Sequence, residues 1–499
     1  MHLLLVLPVA LPVLVAVLCL VTPRQVQQAA TMIAGAAACG CALALMPAAA
    51  HGTVASWGFL RADAVSVVFL LATAFLYLVT SIYSIGYFAH QAATARAGGS
   101  ATTALWKRYS RHFSIGFNLF AWSMLCAPLV NGLALLWIAI EVTTVVSALL
   151  VAIDNTDGAA EAAWKYVLIA SSGLGIALLS TIVLYYAGAQ VLGVSYDLAF
   201  QPLLKVAHEL PRTPVQLAFG LAVVGYGTKV GLFPVHTWLP DAHAEAPTPV
   251  SALLSGALLA TSFYAIVRYY QIAVAALGPH FPQVMMAVFG ALSLLLAALY
   301  LFDQHNIKRM LAYSSIEHMG LLAIGLSFGG LLAFAGVLLH VLCHAAAKGA
   351  AFMGAGVLVE KYDTLDIRCI RGALSTLPWT GPLFLLSIFA LCATPPFGIF
   401  RSEFMIISGG LTRGHTLPAV LLVALVTFAF FGLTIATTRM LSAPAPTGPT
   451  VVTAGEVSPW TVAPVLIAVV ALGVLGVHPP GILVTLLTTG ATELQGGVL

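Results

Sequence analysis

The stretch LLHVLCHAAAKGAAF places His340, His344 and Lys348 at intervals of four residues. On a helix this spacing puts three protonatable groups on one face, spread over about 12 Å of rise. Histidine titrates near neutral pH, so such a row suits the hand-over of protons. A two-histidine metal site is the rival chemistry. No carboxylate accompanies the pair on this helix and HExxH is absent, so no metal is expected. Glu317 and His318, in RMLAYSSIEHMGLLAIG, add two titratable groups beside Ser314 and Ser315, which can hydrogen-bond or hold water. Glu141 lies in LLWIAIEVTTVVSALL with nothing local to pair with it, and Lys229 lies in LAVVGYGTKVGLFPVHTWLP. If these two face each other, they form an ion pair whose strength depends on whether a nearby site holds a proton. A static salt bridge between helices is the other reading. Arg401 and Glu403, two positions apart, point to different faces, so Arg401 needs another partner.

The elements that must hold these groups are apolar. Of 499 residues, 61% are hydrophobic and 7% charged, against about 25% charged in a soluble globular chain. Twenty basic and 17 acidic side chains cannot clothe a surface of this length, so the chain belongs in a bilayer. A formal net charge of +3 gives no reason to expect nucleic acid as a partner. The seven cysteines show no CxxC or Cys/His ligand spacing, which argues against a structural zinc or an iron–sulfur cluster. Cys39 and Cys41 read as small core residues. The opening MHLLLVLPVALPVLVAVLCL lacks a basic leader and is read as a retained span.

A crossing helix needs about 20 apolar residues. Fourteen candidates follow, roughly 2–22, 27–49, 63–88, 112–130, 132–152, 164–188, 215–238, 248–275, 282–302, 309–327, 330–359, 377–409, 417–440 and 458–485. The connections at 23–26, 89–111, 153–165, 303–309, 360–371 and 439–457 share one side and carry twelve basic residues, against five on the other. The positive-inside rule then sets both termini outside the cytoplasm. Lys229, Lys348 and Arg401 fall inside spans, where a charge costs about 3 kcal/mol by insertion scales and needs a reason. No loop is long enough to hold a nucleotide, flavin or cluster, so no catalytic centre and no cofactor of its own is expected.

Pro234 follows Lys229 by five residues, and Pro395–Pro396 interrupt the twelfth span. Proline opens the helix ladder, and paired broken helices point to an ion or substrate path. The breaks fall in the seventh and twelfth spans, five apart, and an odd shift reverses direction in the membrane. The expected architecture is therefore all-α and polytopic, with about 14 helices and two inverted five-helix units. These divide the chain into 1–111, 112–275, 276–440 and 441–499. In WLPDAHAEAPTP, His236, Asp241, His243 and Glu245 approach or follow the cytoplasmic end. With loop chemistry from Pro240, Pro247 and Pro249, they read as the mouth of a path that opens at Pro234.

The blocks GTKVGLFPVHTWLPDAHAEAPTPVSALLSG, IKRMLAYSSIEHMG, HVLCHAAAKGAAFMGAG and TPPFGIFRSEF, with Glu141, resemble the antiporter-like membrane subunits of respiratory complex I, membrane-bound hydrogenases and multisubunit cation/proton antiporters. The IEHMG form looks most like component F of hydrogenase-4-type [NiFe]-hydrogenases. The chain also ends soon after the last span, which argues against the branch with a long lateral helix. The resemblance implies a glutamate–lysine pair at Glu141 and Lys229, a hydrophilic axis through His318, His340, His344 and Lys348, and an exit at Glu403. It departs where many members carry an eighth-helix lysine, since LLATSFYAIVR has Ala260 there. It also implies partners: antiporter-like paralogues and other membrane subunits, and a peripheral redox arm carrying Fe–S clusters, a NiFe centre or quinone. The expected function is redox-driven proton translocation. The alternatives are sodium/proton exchange or ion-coupled inorganic-carbon uptake without redox partners.

Overall fold

Apolar runs free of interior turns become helices throughout the computed structural model, which describes residues 1–97, 99–442 and 452–496. The expected spans appear as α1 (His2–Leu18), α2 (Arg24–Ala50), α3 (Ala64–Ala97), α4 (Ser100–Cys126), α5 (Leu133–Val151), α6 (Asp157–Leu192), α7 (Arg212–Val230) and α8 (Thr248–Leu277). They continue as α9 (His280–Tyr300), α10 (Ile307–Phe328), α11 (Gly330–Tyr362), α12 in two halves (Thr380–Leu391 and Gly398–Thr412), α13 (Thr416–Ser442) and α14 (Pro459–Val477). Among the described residues, nine helices are long and apolar enough to cross a bilayer on their own. The other five expected spans fall short for visible reasons: α1 is short, α12 is split, and α4, α7 and α10 carry polar residues.

Side chains fix several helix starts. Thr156 accepts from the Ala159 N–H at 3.1 Å to cap α6, and Asn306 accepts from Lys308 and Arg309 to cap α10. The last span is shorter than expected, because His478–Pro479–Pro480 cannot continue a helix and Gly481–Leu494 forms a separate one. One small departure from the all-α reading is a hairpin of Ala55–Trp57 with Leu60–Ala62, just before α3. Of the connection expected at 439–457, residues 443–451 lie outside the described ones.

The two breaks differ from expectation in where they begin. The seventh helix stops at Gly231, whose φ of +85° suits glycine, three residues before Pro234. Protein groups then satisfy the freed backbone. The N–H groups of Gly231 and Leu232 donate to the Gly227 carbonyl, Trp238 Nε1–H donates to the Thr228 carbonyl at 2.8 Å, and the Phe233 N–H donates to Ser293 of α9. Pro234, Pro395 and Pro396 are exposed on the outside of the bundle. Trp238–Glu245 is a two-turn helix, where the sequence suggested a loop.

The break in α12 rests on α14. A Cβ added to Gly476 would lie 1.9 Å from the Pro396 carbonyl oxygen, so only glycine permits this approach. The same glycine supplies the missing partner of Arg401, whose guanidinium donates to the Gly476 carbonyl at 3.4 Å. α11 is the central pillar, packed on α3, α10, both halves of α12 and α14, with every residue from Ala333 to Leu358 buried.

Candidate functional site

Lys229 ends α7 facing α5 and α6, fully buried. Its Nζ donates to Thr144 Oγ1 at 2.5 Å and Tyr166 OH at 2.7 Å, and lies 4.9 Å from the Tyr166 ring centre. Tyr166 in turn shares a 2.8 Å hydrogen bond with Ser147 and stacks on Trp238 at 4.3 Å. Glu141 lies one helical turn from Thr144 on α5 and accepts from Ser171 at 3.0 Å. Among the described residues no ion pair joins Glu141 to Lys229. The expected contact is thus replaced by hydroxyl groups, because α6 inserts Tyr166 and Ser171 beside them.

The second half gathers around α11. Lys348 donates to the Leu311 carbonyl at 2.9 Å and to Ser314, both on α10. His318 Nδ1 and His340 Nε2 are hydrogen-bonded at 3.1 Å, and His340 Nδ1 meets Ser402 Oγ of α12 at 3.0 Å. His344 meets His318 edge-on, with 5.2 Å between ring centres. Glu403 arrives from α12 on a helix that sequence spacing could not connect to the histidines. Ligand atoms of His318, His340 and Glu403 lie within 4.8 Å of one another, so the carboxylate missing beside the histidines on α11 is supplied from α12 in three dimensions. The donor set could hold a cation or share a proton. The 3.1 Å bond between the two rings already engages one nitrogen of each, which favours the proton.

Between the halves, the eighth helix lacks the lysine but carries a π-helical turn at Leu254–Leu258. Such turns reposition side chains and recur at functional sites. Here the turn carries Ser255, whose Oγ lies 2.7 Å from that of Ser315, the neighbour of Ser314 on α10. Ala260 is buried and contributes no polar atom to this junction.

The four residues read as a mouth part company. Asp241 is held by Arg309 at 2.5 Å and Lys165 at 3.6 Å, an ion cluster at the helix ends. Glu245 is half-buried beside Gly158. His236 is nearly buried beside Phe233. His243 is fully buried, bonded through Nδ1 to the Leu239 carbonyl, with its ring against Phe352 of α11. It therefore lies inside the bundle and is not at a mouth, because Trp238–Glu245 turns it inward.

Sequence reasoning missed the hydroxyl partners Thr144, Ser147, Tyr166, Ser171, Ser255 and Ser402. For Thr144, Ser147 and Ser402 the available signal was a position on a helix that carries one of the expected site charges; Tyr166, Ser171 and Ser255 lie on helices that carry none of them. It also missed a buried ion cluster, in which Asp63 accepts from Arg268 and Arg61, each at 2.6 Å.

The family model described as NADH:quinone oxidoreductase/Mrp antiporter, transmembrane, matches residues 130–431. The hydrogenase-4 component F homolog of Methylacidiphilum infernorum (isolate V4) is 37% identical over 375 residues, covering 74% of this chain and 76% of its own length. Two solved structures share the fold. A chain of the Mrp complex from Dietzia sp. DQ12-45-1b has a TM-score of 0.84 at 19% identity, covering 99% of this chain and 98% of that one. A chain of respiratory complex I from Thermus thermophilus with bound NADH has a TM-score of 0.80 at 24% identity, covering 99% and 100%.

Proposed function

The chain belongs to the NADH:quinone oxidoreductase/Mrp antiporter transmembrane family, and from that premise we propose that it moves protons along the buried row from Glu141 and Lys229 through Lys348 and His318, His340 and His344 to Glu403. The observation that carries this reading is a set of buried, titratable atoms with no hydrogen-bond partner among the described residues. These are both ring nitrogens of His344, Nε2 of His318, and Oε2 of Glu141 and of Glu317. Buried polar atoms are nearly always hydrogen-bonded. A row of orphans in an apolar bundle therefore calls for internal water, which links groups too far apart to touch.

Each lysine can exist in two protonation states where it sits. Thr144 and Tyr166 are hydroxyls and can turn from accepting to donating when Lys229 becomes an amine. A redox event in partner subunits would alter charge near Glu141, shift the Lys229 proton, and push it through the Ser255–Ser315 junction to Lys348. The proposal places the chain in the inner membrane of a prokaryotic cell, both termini outside. Antiporter-like paralogues and a peripheral redox arm adjoin it, and Fe–S, NiFe or quinone chemistry stays with those partners. The ranges 112–275 and 276–440 act as the two inverted proton-handling units, with 1–111 and 441–499 flanking them. Asp241 and Glu245 lie near the cytoplasmic water that feeds the row, and His236 and His243 lie further in.

The sodium/proton reading fits less well. Two imidazole nitrogens and one carboxylate make a poor site for a hard cation that prefers oxygen. The assembled complex in vesicles tests the proposal through its proton-to-electron ratio. Glu403→Gln and Glu141→Gln should each lower that ratio while electron transfer persists, with no dependence on sodium. An unchanged ratio in both variants, or transport that requires sodium, would sink it. Ser315→Ala removes one hydroxyl of the junction and should slow proton flux about two- to tenfold, the scale of one net hydrogen bond. Stopped-flow measurement of vesicle acidification checks this, and wild-type kinetics would show that the junction is not on the path.

A further inference from the structure

At the end of the bundle that carries the α9–α10 connection, residues 363–372 and the last turns of α13 enclose a cavity of about 570 Å³. Three guanidinium groups line it, those of Arg368, Arg371 and Arg439. Its walls are set by backbone bonds between the two connections. The Ile307 N–H donates to the Leu365 carbonyl at 3.0 Å, and the Ile367 N–H to the His305 carbonyl at 2.8 Å. Arg371 is aimed by its own 3.1 Å bond to the Arg368 carbonyl. Arg368 is partly used: hydrogen bonding to its guanidinium holds the Asp366 carboxyl down at about 2, so that acid stays ionised beside it. Counting Asp366 and the lining Asp303 against three arginines still leaves the site positive. Among the described residues Arg439, in the last turn of α13 where the helix dipole favours a cation, has no hydrogen-bond or ion-pair partner.

The cavity continues into an apolar track. Ile435 lines it and is 44% exposed, followed down α13 by Phe431 at 52% and Phe428 at 42%. The spacing of three and four residues puts them on one face. Phe302, also lining the cavity, closes on Phe428 with ring centres 4.4 Å apart. A positive recess at a helix end, opening onto an exposed aromatic stripe directed along a membrane helix, has the polarity of one kind of molecule. We infer that this recess binds the headgroup of an anionic phospholipid, its phosphate among Arg368, Arg371 and Arg439 and one acyl chain along Ile435, Phe431 and Phe428. A free phosphate would use the arginines and leave the track without a role. The site is independent of the proton row, because none of its residues belongs to it.

Native mass spectrometry of the assembled complex, delipidated in detergent and then offered lipid, tests the inference. Phosphatidylglycerol should be retained over phosphatidylcholine, and inorganic phosphate should not displace it. Arg371→Gln and Arg439→Gln should each weaken retention about fivefold, the effect of one basic residue at an anionic surface. Arg108→Gln, at an exposed arginine outside the cavity, should leave it unchanged. Ala436→Phe keeps every charge and fills the recess, and it should also lose the lipid, which decides the matter if an arginine variant fails to assemble. Equal retention of the two lipids, displacement by phosphate alone, or undiminished retention in Ala436→Phe would overturn the assignment.

Discussion

Lys229→Arg is expected to stop proton translocation as completely as Lys229→Ala, although it keeps the positive charge. The reason lies in what surrounds the residue. Thr144 and Tyr166 are the only hydrogen-bond partners of its Nζ among the described residues, and both are hydroxyls that serve an ammonium or an amine equally well. Glu141 is within one turn of Thr144 but is bonded to Ser171 instead. A lysine kept only to neutralise Glu141 would tolerate arginine, since the charge remains and about 1–3 kcal/mol of overpacking can be absorbed. A lysine that must release its proton would not, because a guanidinium stays charged throughout the accessible pH range. Proton flux through this subunit should fall by about a hundredfold or more in both variants, the scale of losing a positioned proton-transfer group. The measurement is the proton-to-electron ratio in vesicles, normalised to the amount of assembled complex. Arginine that pumps like wild type would make Lys229 a structural cation.

The charges of that row were legible in the sequence because the bilayer makes them conspicuous. Glu141, Lys229, Lys348 and Glu403 each interrupt a long apolar run, and His340, His344 and Lys348 share a helix face by spacing alone. The helices were legible for the same reason, since a run of apolar residues between turn signals leaves little choice of structure. What the sequence could not show was anything decided between helices. Glu403 reaches His318 and His340 only because α12 restarts at Gly398 against α11. Ser255 meets Ser315 only because α8 makes a π-helical turn. Serine and threonine carry no mark in an apolar run, as they often bond their own helix backbone, so their bridging roles stayed hidden. His243 misled for a related reason: a proline-rich stretch suggested a loop, and the two-turn helix that folds it inward depends on Trp238 packing against Tyr166.

Arg268→Ala should be among the most destabilising single changes in the chain, at about 3–5 kcal/mol, the range for breaking a buried ion pair from one side. Arg268 is 1% exposed and donates to Asp63 at 2.6 Å, to Ser66 at 2.9 Å and to Gln271 at 2.9 Å. Gln271 passes the connection on to the Glu493 backbone at 3.0 Å. The Glu493 carboxylate caps α3 by accepting from the N–H groups of Ala64 and Val65, each at 3.1 Å. One guanidinium therefore ties the hairpin end, α3, α8 and the last helix together. Removing it leaves Asp63 buried with Arg61 as its one charged partner and the Ser66 N–H at 2.8 Å, and neither fills the space the guanidinium occupied. Arg268→Lys should fall between wild type and alanine, because an ammonium cannot reproduce the forked geometry. Asp63→Ala combined with Arg268→Ala should cost less than the two single changes added together, since neither charge is then stranded. Thermal unfolding of the purified complex reads these differences. The proton-to-electron ratio of whatever complex still assembles should stay at the wild-type value, because the cluster holds helix ends and carries no proton of the row. A midpoint unchanged by Arg268→Ala would mean that water already screens the cluster. A lowered ratio at normal assembly would place the cluster on the path itself.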